Sequence, residues 1–480
     1  MPGRTPPAPL YPLIAALLLG TGLGGCAQQP APASAGAASV PAVPADAATR
    51  ADAAVKALMV KAPFPGVSVA VAQNGRIIYA QGFGVADRAT GAAVEPGTRF
   101  PIGSITKPLT CLSVLQLADK GKIDMGAPIG RYLPDLPAPS RDVPVRNLME
   151  HSSGIINYLE NKEFPYNKPV GLSRQDLLGY FAAKPLRFAP GSRFDYSNSN
   201  TYLLGLLIEA VSGRSYDRYV QAHIFEPFGM TESDFGQRPD RAKGYTTRAG
   251  VYRDGTAYDW LVPFSAGAVV SNTTDLVRFA DGLFGAKTPA QVRSAALSGD
   301  KLSDGTPNIY MKGCLIEGQL DGVRKYSHPG AIFGFTSHLA HYPDEGLTVV
   351  VLANTHGENF PALTIEQAVA RAFLGLPDPD QRARPFDAAE AGWISGAYDI
   401  TNRRMGFDRF WVSVEGDALA LSFGPPGSGA PKTLLIRLGD GRYVSSADPA
   451  QLFHFSRNAD GSVWLELNYY EGVVPMRKAG

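Results

Sequence analysis

Phe100-Pro101-Ile102-Gly103-Ser104-Ile105-Thr106-Lys107, followed after Pro108 by Leu109-Thr110-Cys111-Leu112-Ser113-Val114-Leu115-Gln116-Leu117-Ala118, is the stretch that decides the fold. Its second half is apolar on nearly every side and of helical length, which predicts a helix surrounded by protein. Gly121, just past Lys120, suits a left-handed C-terminal cap. Proline in a helix interior costs about 3 kcal/mol, so regular pairing must begin close to Pro108, with Ser104 at the N-terminal end. A serine and a lysine three positions apart at a helix start share a face, and the unpaired backbone N–H groups there favour negative charge. That is the arrangement of an activated nucleophile. A serine hydroxyl needs a neighbouring base, and lysine serves as one where burial or nearby charge disfavours its ammonium form.

Around this stretch lies a chain of 480 residues, 45% hydrophobic and 19% charged, with a formal net charge of +1. This is a globular composition, long enough for a sizeable core and more than one domain. The near-neutral balance, with no basic run carrying interleaved aromatics, argues against nucleic acid as a partner. Arg4 precedes an apolar stretch, Leu10 to Leu19, that is too short to span a membrane and fits a signal-peptide core. Leu23-Gly24-Gly25-Cys26 closes it and resembles a bacterial lipoprotein box. That resemblance implies export, cleavage before Cys26 and lipid on that cysteine. With Ala27 in place of aspartate, it points to the periplasmic face of the outer membrane, and the anchor is then the expected membrane contact. Cys111 and Cys314 remain, too few for a disulfide framework. Because Cys111 lies in the buried run, a free core thiol is expected there, with a single bridge as the alternative.

Composition divides the rest. Residues 1–25 read as the signal and 26–49, rich in Ala, Pro and Ser, as a tether unable to bury a core. From Gly66 to Val71 and Arg76 to Tyr79, two β-prone runs flank Asn74-Gly75, a strong hairpin signal. A loop-rich, mainly helical region follows from Ile123 to about Phe284, and within it Tyr202 to Val211 forms a second buried helix ending at Gly213. Strand signals return at Gly334–His341 and Leu347–Asn354, and a helix is expected from Thr364 to Leu374. Strands at both ends of a helical middle imply one domain over 50–376, an antiparallel sheet flanked by helices with a mainly helical insertion, an α/β class. The proline-broken stretch 377–390 is a linker. Beyond it, 391–480 alternates apolar and polar residues in short runs and reads as a small antiparallel β module, barrel or sandwich.

Two further clusters carry chemistry. Phe194-Asp195-Tyr196-Ser197-Asn198 precedes the second buried helix, where Tyr196 could relay a proton and Asn198 could hydrogen-bond a substrate and Lys107. Tyr326-Ser327-His328-Pro329-Gly330-Ala331 lies ahead of the late hairpin, with Gly330 permitting close backbone approach to a ligand. Each is weak alone. The order Ser104 and Lys107, then Tyr196 and Asn198, then His328 to Gly330 resembles the penicillin-binding and β-lactamase superfamily of serine hydrolases, in its class C and D-peptidase branch, whose elements are S-x-x-K, Y-x-N and K/H-x-G. The likeness extends through Leu148-Met149-Glu150-His151-Ser152-Ser153-Gly154, Phe225 to Met230 and Ser265-Ala266-Gly267, spanning about Arg50 to Gly375.

The resemblance implies a β-lactamase/DD-peptidase-like domain and an acyl-enzyme route. Ser104 would attack a carbonyl, Lys107 with Tyr196 would move the proton, and Asn198 would orient substrate. The backbone N–H groups of Ser104 and Ala331 would form an oxyanion hole, each donor worth about 3–4 kcal/mol. His328 stands where many β-lactamases have lysine, so a weaker, pH-dependent attraction for a substrate carboxylate is expected. This favours an ester or a D-amino-acid amide as substrate over a β-lactam antibiotic; a catalytically silent sensor or envelope scaffold is the alternative of another class. His151 is given a structural role, since a histidine adjacent to Ser152 is not triad geometry. No metal or cofactor is implied, and the partner expected is a small-molecule or peptide substrate. The C-terminal module resembles the lipocalin-like domains that follow such hydrolases.

Overall fold

The computed structural model describes residues 42–479 apart from 62–63, 166–168, 237–239, 249–250, 256, 309, 358–360, 378–382, 400–402, 405–408, 447–451, 459 and 470–471. The signal segment, Cys26 and most of the tether lie outside the described residues.

Helix α1 covers Ala47–Lys61, strand β1 Gly66–Gln73 and strand β2 Arg76–Asp87. Asn74 and Gly75 take φ of 51° and 76°, the paired positive values a tight two-residue hairpin requires. Helix α2, Thr106–Asp119, follows a short turn at Gly103–Ile105, and helix α3 spans Asn198–Ser212. After the helical region come β3 Ile316–Leu320, β4 Val323–Ile332, β5 Phe335–Tyr342, β6 Leu347–Ala353 and helix α4 Pro361–Leu374. The main sheet runs β3-β4-β5-β6-β1-β2, extended by the two-residue strand Ala92–Ala93. Both ends of the domain meet in its middle, with Val67 opposite Ala353 and Gln73 opposite Leu347. A chain that leaves a sheet and returns to complete it must bury both faces, and β1 does. Val67, Val69 and Val71 pack with α1 and α4 on one side, while Ala70 and Ala72 face the core built around α2 and α3.

Three expectations need correction. The tether does not reach residue 49, because α1 begins at Ala47, and Ala47, Ala51 and Val55, four apart, are buried against the sheet's outer face. The linker is shorter than 377–390, since Asp387 caps a helix over Ala388–Ile394 by accepting from the Ala389 and Glu390 N–H groups. Cys111 and Cys314 are not free thiols but a disulfide, their Cα atoms 5.9 Å apart across 203 positions of sequence. That adjacency is made by the fold and leaves no local mark.

The C-terminal module is a closed barrel of eight strands: β7 Gly396–Asp399, β8 Arg409–Glu415, β9 Ala418–Ser422, β10 Lys432–Gly439, β11 Arg442–Ser445, β12 Leu452–Arg457, β13 Val463–Tyr469 and β14 Gly472–Lys478. Tyr398, Phe410, Phe455, Leu465 and Met476 fill it. Arg403–Arg404, between β7 and β8, pairs in parallel with Phe194–Asp195, the strand that leads directly into Tyr196.

Candidate active site

The turn Gly103–Ile105 puts Ser104 at the head of α2, partly exposed among buried neighbours. Pro108 sits as the third residue of the helix, where its missing N–H has no intrahelical partner to lose. Two glycines press this turn against β4. A Cβ on Gly103, whose φ is 51°, would lie 2.9 Å from the N and O of Ala331, and one on Gly330 would lie 2.2 Å from the carbonyl O of Ile102. The Ser337 Oγ also donates to the Ile102 carbonyl at 2.8 Å. The close approach at Gly330 was expected toward a ligand; it is instead toward the turn that carries Ser104. The consequence is that Ser104 and the exposed Ala331 line the same cavity.

Lys107 is fully buried, with three oxygens about its Nζ: Ser104 Oγ at 2.9 Å, Asn198 Oδ1 at 2.8 Å and the Ala266 carbonyl at 2.8 Å. The carbonyl and the amide oxygen can only accept. In the neutral amine, N–H groups can serve these acceptors while the lone pair is within reach of the Ser104 hydroxyl proton. An ammonium would donate to all three, and the same frame serves after the proton has moved. Asn198 is held for this by its own Nδ2, 3.5 Å from Asn157 Oδ1. The Lys107 Nζ also lies 4.9 Å from the centre of the Tyr196 ring. Ser104, Lys107, Tyr196, Asn198, Gly330 and Ala331, scattered over more than two hundred positions, are thus brought together.

His328 departs from its expected place. It is 1% exposed, its Nδ1 lies 2.5 Å from the Pro329 carbonyl and its Nε2 2.6 Å from the Tyr310 hydroxyl. A carbonyl accepts, so Nδ1 carries the proton and Nε2 takes the Tyr310 O–H. Burial, and Lys107 nearby, push its pKa down to about 3. The imidazole is neutral and committed within the protein, so the attraction for a substrate carboxylate expected of His328 is absent.

Sequence reasoning missed most of the cavity wall. About 130 Å³ is enclosed by Ser104, Asn198, Ala266, Gly267 and Ala331 together with Tyr158, Leu159, Val262, Pro263, Ile332, Phe333 and His356. The Tyr158 hydroxyl is tied to the Val262 carbonyl at 2.7 Å, which turns its ring to the cavity as an apolar surface. Burial holds His356 below the usual imidazole range, so it too is uncharged near neutral pH. No run of sequence announces these residues, because they come from four separate parts of the chain, near 158, 262, 332 and 356, and only convergence makes a wall. Among the described residues no group of three or more His, Cys, Asp or Glu side chains is placed to hold a metal ion.

Comparison with known proteins bears on this arrangement. The family described as Beta-lactamase matches residues 51–373. A Bacillus subtilis (strain 168) protein named as a penicillin-binding protein, PbpX, is 30% identical over 293 residues, which cover 60% of this chain and 70% of that one. Among solved structures, the octameric penicillin-binding protein homologue from Pyrococcus abyssi is similar with a TM-score of 0.61 and 24% identity, over 90% of this chain and 99% of that one. The D-stereospecific amidohydrolase from Streptomyces sp. is similar with a TM-score of 0.58 and 25% identity, over 69% of this chain and 99% of that one.

Proposed function

The chain belongs to the β-lactamase family of serine hydrolases, and from that premise we propose that it hydrolyses acyl substrates lacking a carboxylate, an ester or a D-amino-acid amide, through an acyl-enzyme on Ser104. The observation that carries this reading is the buried Lys107 amine, held by Asn198 Oδ1 and the Ala266 carbonyl within 2.9 Å of the Ser104 hydroxyl. In the first step the Ser104 Oγ–carbonyl bond forms as the hydroxyl proton passes to Lys107. The negative charge on the former carbonyl oxygen is met by the N–H groups of Ser104 and Ala331. The proton then leaves with the alcohol or amine, and water reverses the sequence to free the acid. Tyr196, over which the Lys107 ammonium can rest, is the second member of the proton path, and Asn198 orients Lys107 and substrate.

The preference for substrates without a carboxylate follows from charge. The residues lining the cavity include no arginine or lysine, and His328 and His356 are neutral. A substrate carboxylate desolvated there meets no cationic wall residue, and Lys107 behind the wall is committed to Ser104, Asn198 and the Ala266 carbonyl, so a penalty of several kcal/mol is left largely unrepaid. The amidohydrolase likeness supports the amide half of the reading.

The test is a panel of p-nitrophenyl acetate and butyrate, D-phenylalaninamide, a D-alanyl-D-alanine peptide and nitrocefin. Wild type should turn over the esters or the amide with kcat/KM at least about 100-fold above the two carboxylate-bearing substrates, which corresponds to about 2.7 kcal/mol. Ser104→Ala should abolish all of it. Efficient nitrocefin hydrolysis would mean a β-lactamase instead, and turnover surviving in Ser104→Ala would overturn the nucleophile.

A further inference from the structure

Directly behind Tyr196 lies a histidine that the proton path does not use. His151 is fully buried and holds a left-handed backbone, φ 51°, uncommon for a residue with a side chain. Its carbonyl accepts the Asp195 N–H at 2.8 Å, so it fixes the residue before Tyr196. Its Nδ1 accepts the Ser197 N–H at 3.1 Å and so fixes the residue after. The same Nδ1 lies 3.2 Å from Asn200 Nδ2, and the Asn200 Oδ1 is already taken by the Ser153 hydroxyl, so the amide end facing the ring is the donor. Its ring lies against that of Tyr196, centroids 4.4 Å apart and planes inclined by 31°. Tyr310 meets the ring edge-on at 4.6 Å.

These contacts fix the chemistry of the imidazole. An Nδ1 that receives two N–H groups carries no proton, so the proton is on Nε2, which is buried and has no hydrogen-bond partner among the described residues. The ring therefore has no lone pair to offer Ser104, although it stands beside the site. A base would keep an acceptor nitrogen turned to the nucleophile; this one spends it on the turn that carries Tyr196.

We propose that His151 is the positioning residue for Tyr196: a neutral imidazole that clamps the backbone on both sides of that tyrosine and backs its ring, so that the phenol is held over Lys107 while protons move. This rests on the reading of Ser104 as nucleophile. A role exerted wholly through one hydroxyl has a signature that general structural support lacks, because removing the hydroxyl should make the positioning residue irrelevant.

The experiment is a double-mutant cycle of His151→Asn and Tyr196→Phe with p-nitrophenyl acetate. Asparagine tolerates the left-handed backbone and keeps an acceptor oxygen near the place of Nδ1, so it spares the fold and removes the ring. His151→Phe is the complement, keeping a ring and losing the acceptor. Each should lower kcat about tenfold or more with KM changed less than about threefold, as expected of a slightly misplaced proton carrier. In the Tyr196→Phe background the same changes at 151 should cost less than about twofold. Equal losses in both backgrounds, or a kcat for His151→Asn within twofold of wild type, overturn the proposal. Mass detection of the acyl group separates the failures. An acylated Ser104 with additive losses sinks this inference alone, whereas a wild type never acylated at Ser104 sinks the reading beneath it as well.

Discussion

At the scale of single residues, the site depends on atoms that are missing as much as on those present. Gly330 and Gly103 carry no side chain, and that lets β4 close on the turn of Ser104. An alanine at 330 would set a methyl 2.2 Å from the Ile102 carbonyl and from the Ser337 hydroxyl, and one of the partners must move. Displacing the turn by about 1 Å costs on the order of 100-fold in rate. Gly330→Ala should therefore lower kcat by about that factor. Gly318→Ala, on β3 with nothing within 4 Å of the new methyl, should leave activity unchanged. Equal behaviour of the two variants would refute the interlock. Ser104 and Lys107 were legible in sequence because their spacing suits one helical start, and Tyr196 and Asn198 through the resemblance carried by the order of the motifs. The neutral state of His328 was not, because its partner Tyr310 is joined to it only by folding.

Among the elements, β4 and β5 are fixed to α4 by buried charge. Lys325 on β4 donates to Glu366 on α4 at 2.9 Å, and the Tyr342 hydroxyl on β5 donates to the other oxygen of that carboxylate at 2.6 Å. His338 on β5 lies 3.4 Å from it. Burial opposes the Glu366 charge, yet Lys325 and its other partners hold the carboxyl below its usual range. Removing one member of such a pair leaves a charge buried and unmatched, a loss of about 3–5 kcal/mol. Glu366→Gln should destabilise the chain by about that amount in urea titration. Lys325→Met with Glu366→Leu, which removes both charges, should recover much of it. A single variant as stable as wild type would show that the pair carries no weight. Since β4 bears His328 to Ala331, this network secures the cavity wall from behind. Neither charge was distinguishable from a surface residue in sequence, because burial at 325 and 366 is decided by which helix packs on the sheet.

Over the whole molecule, several buried imidazoles make stability depend on pH. Burial pushes the pKa of His328 to about 3 and of His338 and His341 to about 4, and holds His151 well below the ordinary value. The unfolded chain titrates these groups near 6.5, so below that pH it binds protons that the fold refuses. Depressed values give stability that is complete above 6.5 and is lost as the pH falls toward 4, each group contributing up to about 1.4 kcal/mol per pH unit. Glu150 acts oppositely. Burial, with Asp300 nearby, raises its carboxyl to about 7, so its term weakens the fold as pH rises from its ordinary value of 4.5. Burial raises the Glu345 carboxyl as well, and two carboxyls against several imidazoles leave the net slope positive. The Tm should rise from pH 4 to 6.5 at fixed ionic strength, and a Tm flat or falling over that range would contradict the assignment.

The sequence by itself determined the family, the α/β domain completed from both ends of its chain, the β module beyond it, and the candidate pair of Ser104 and Lys107. The elements are properties of spacing along one helix start, of apolar periodicity and of turn residues, which act between near neighbours, whereas the family came from the resemblance carried by the order of three motifs along the chain. The tertiary structure alone decided the bridge from Cys111 to Cys314, the closure of eight strands into a barrel, the uncharged cavity wall and the placing of His151 behind Tyr196. Each of these joins residues far apart in sequence. Such contacts form only once the apolar faces of separate elements have met, and no local preference along the chain encodes them.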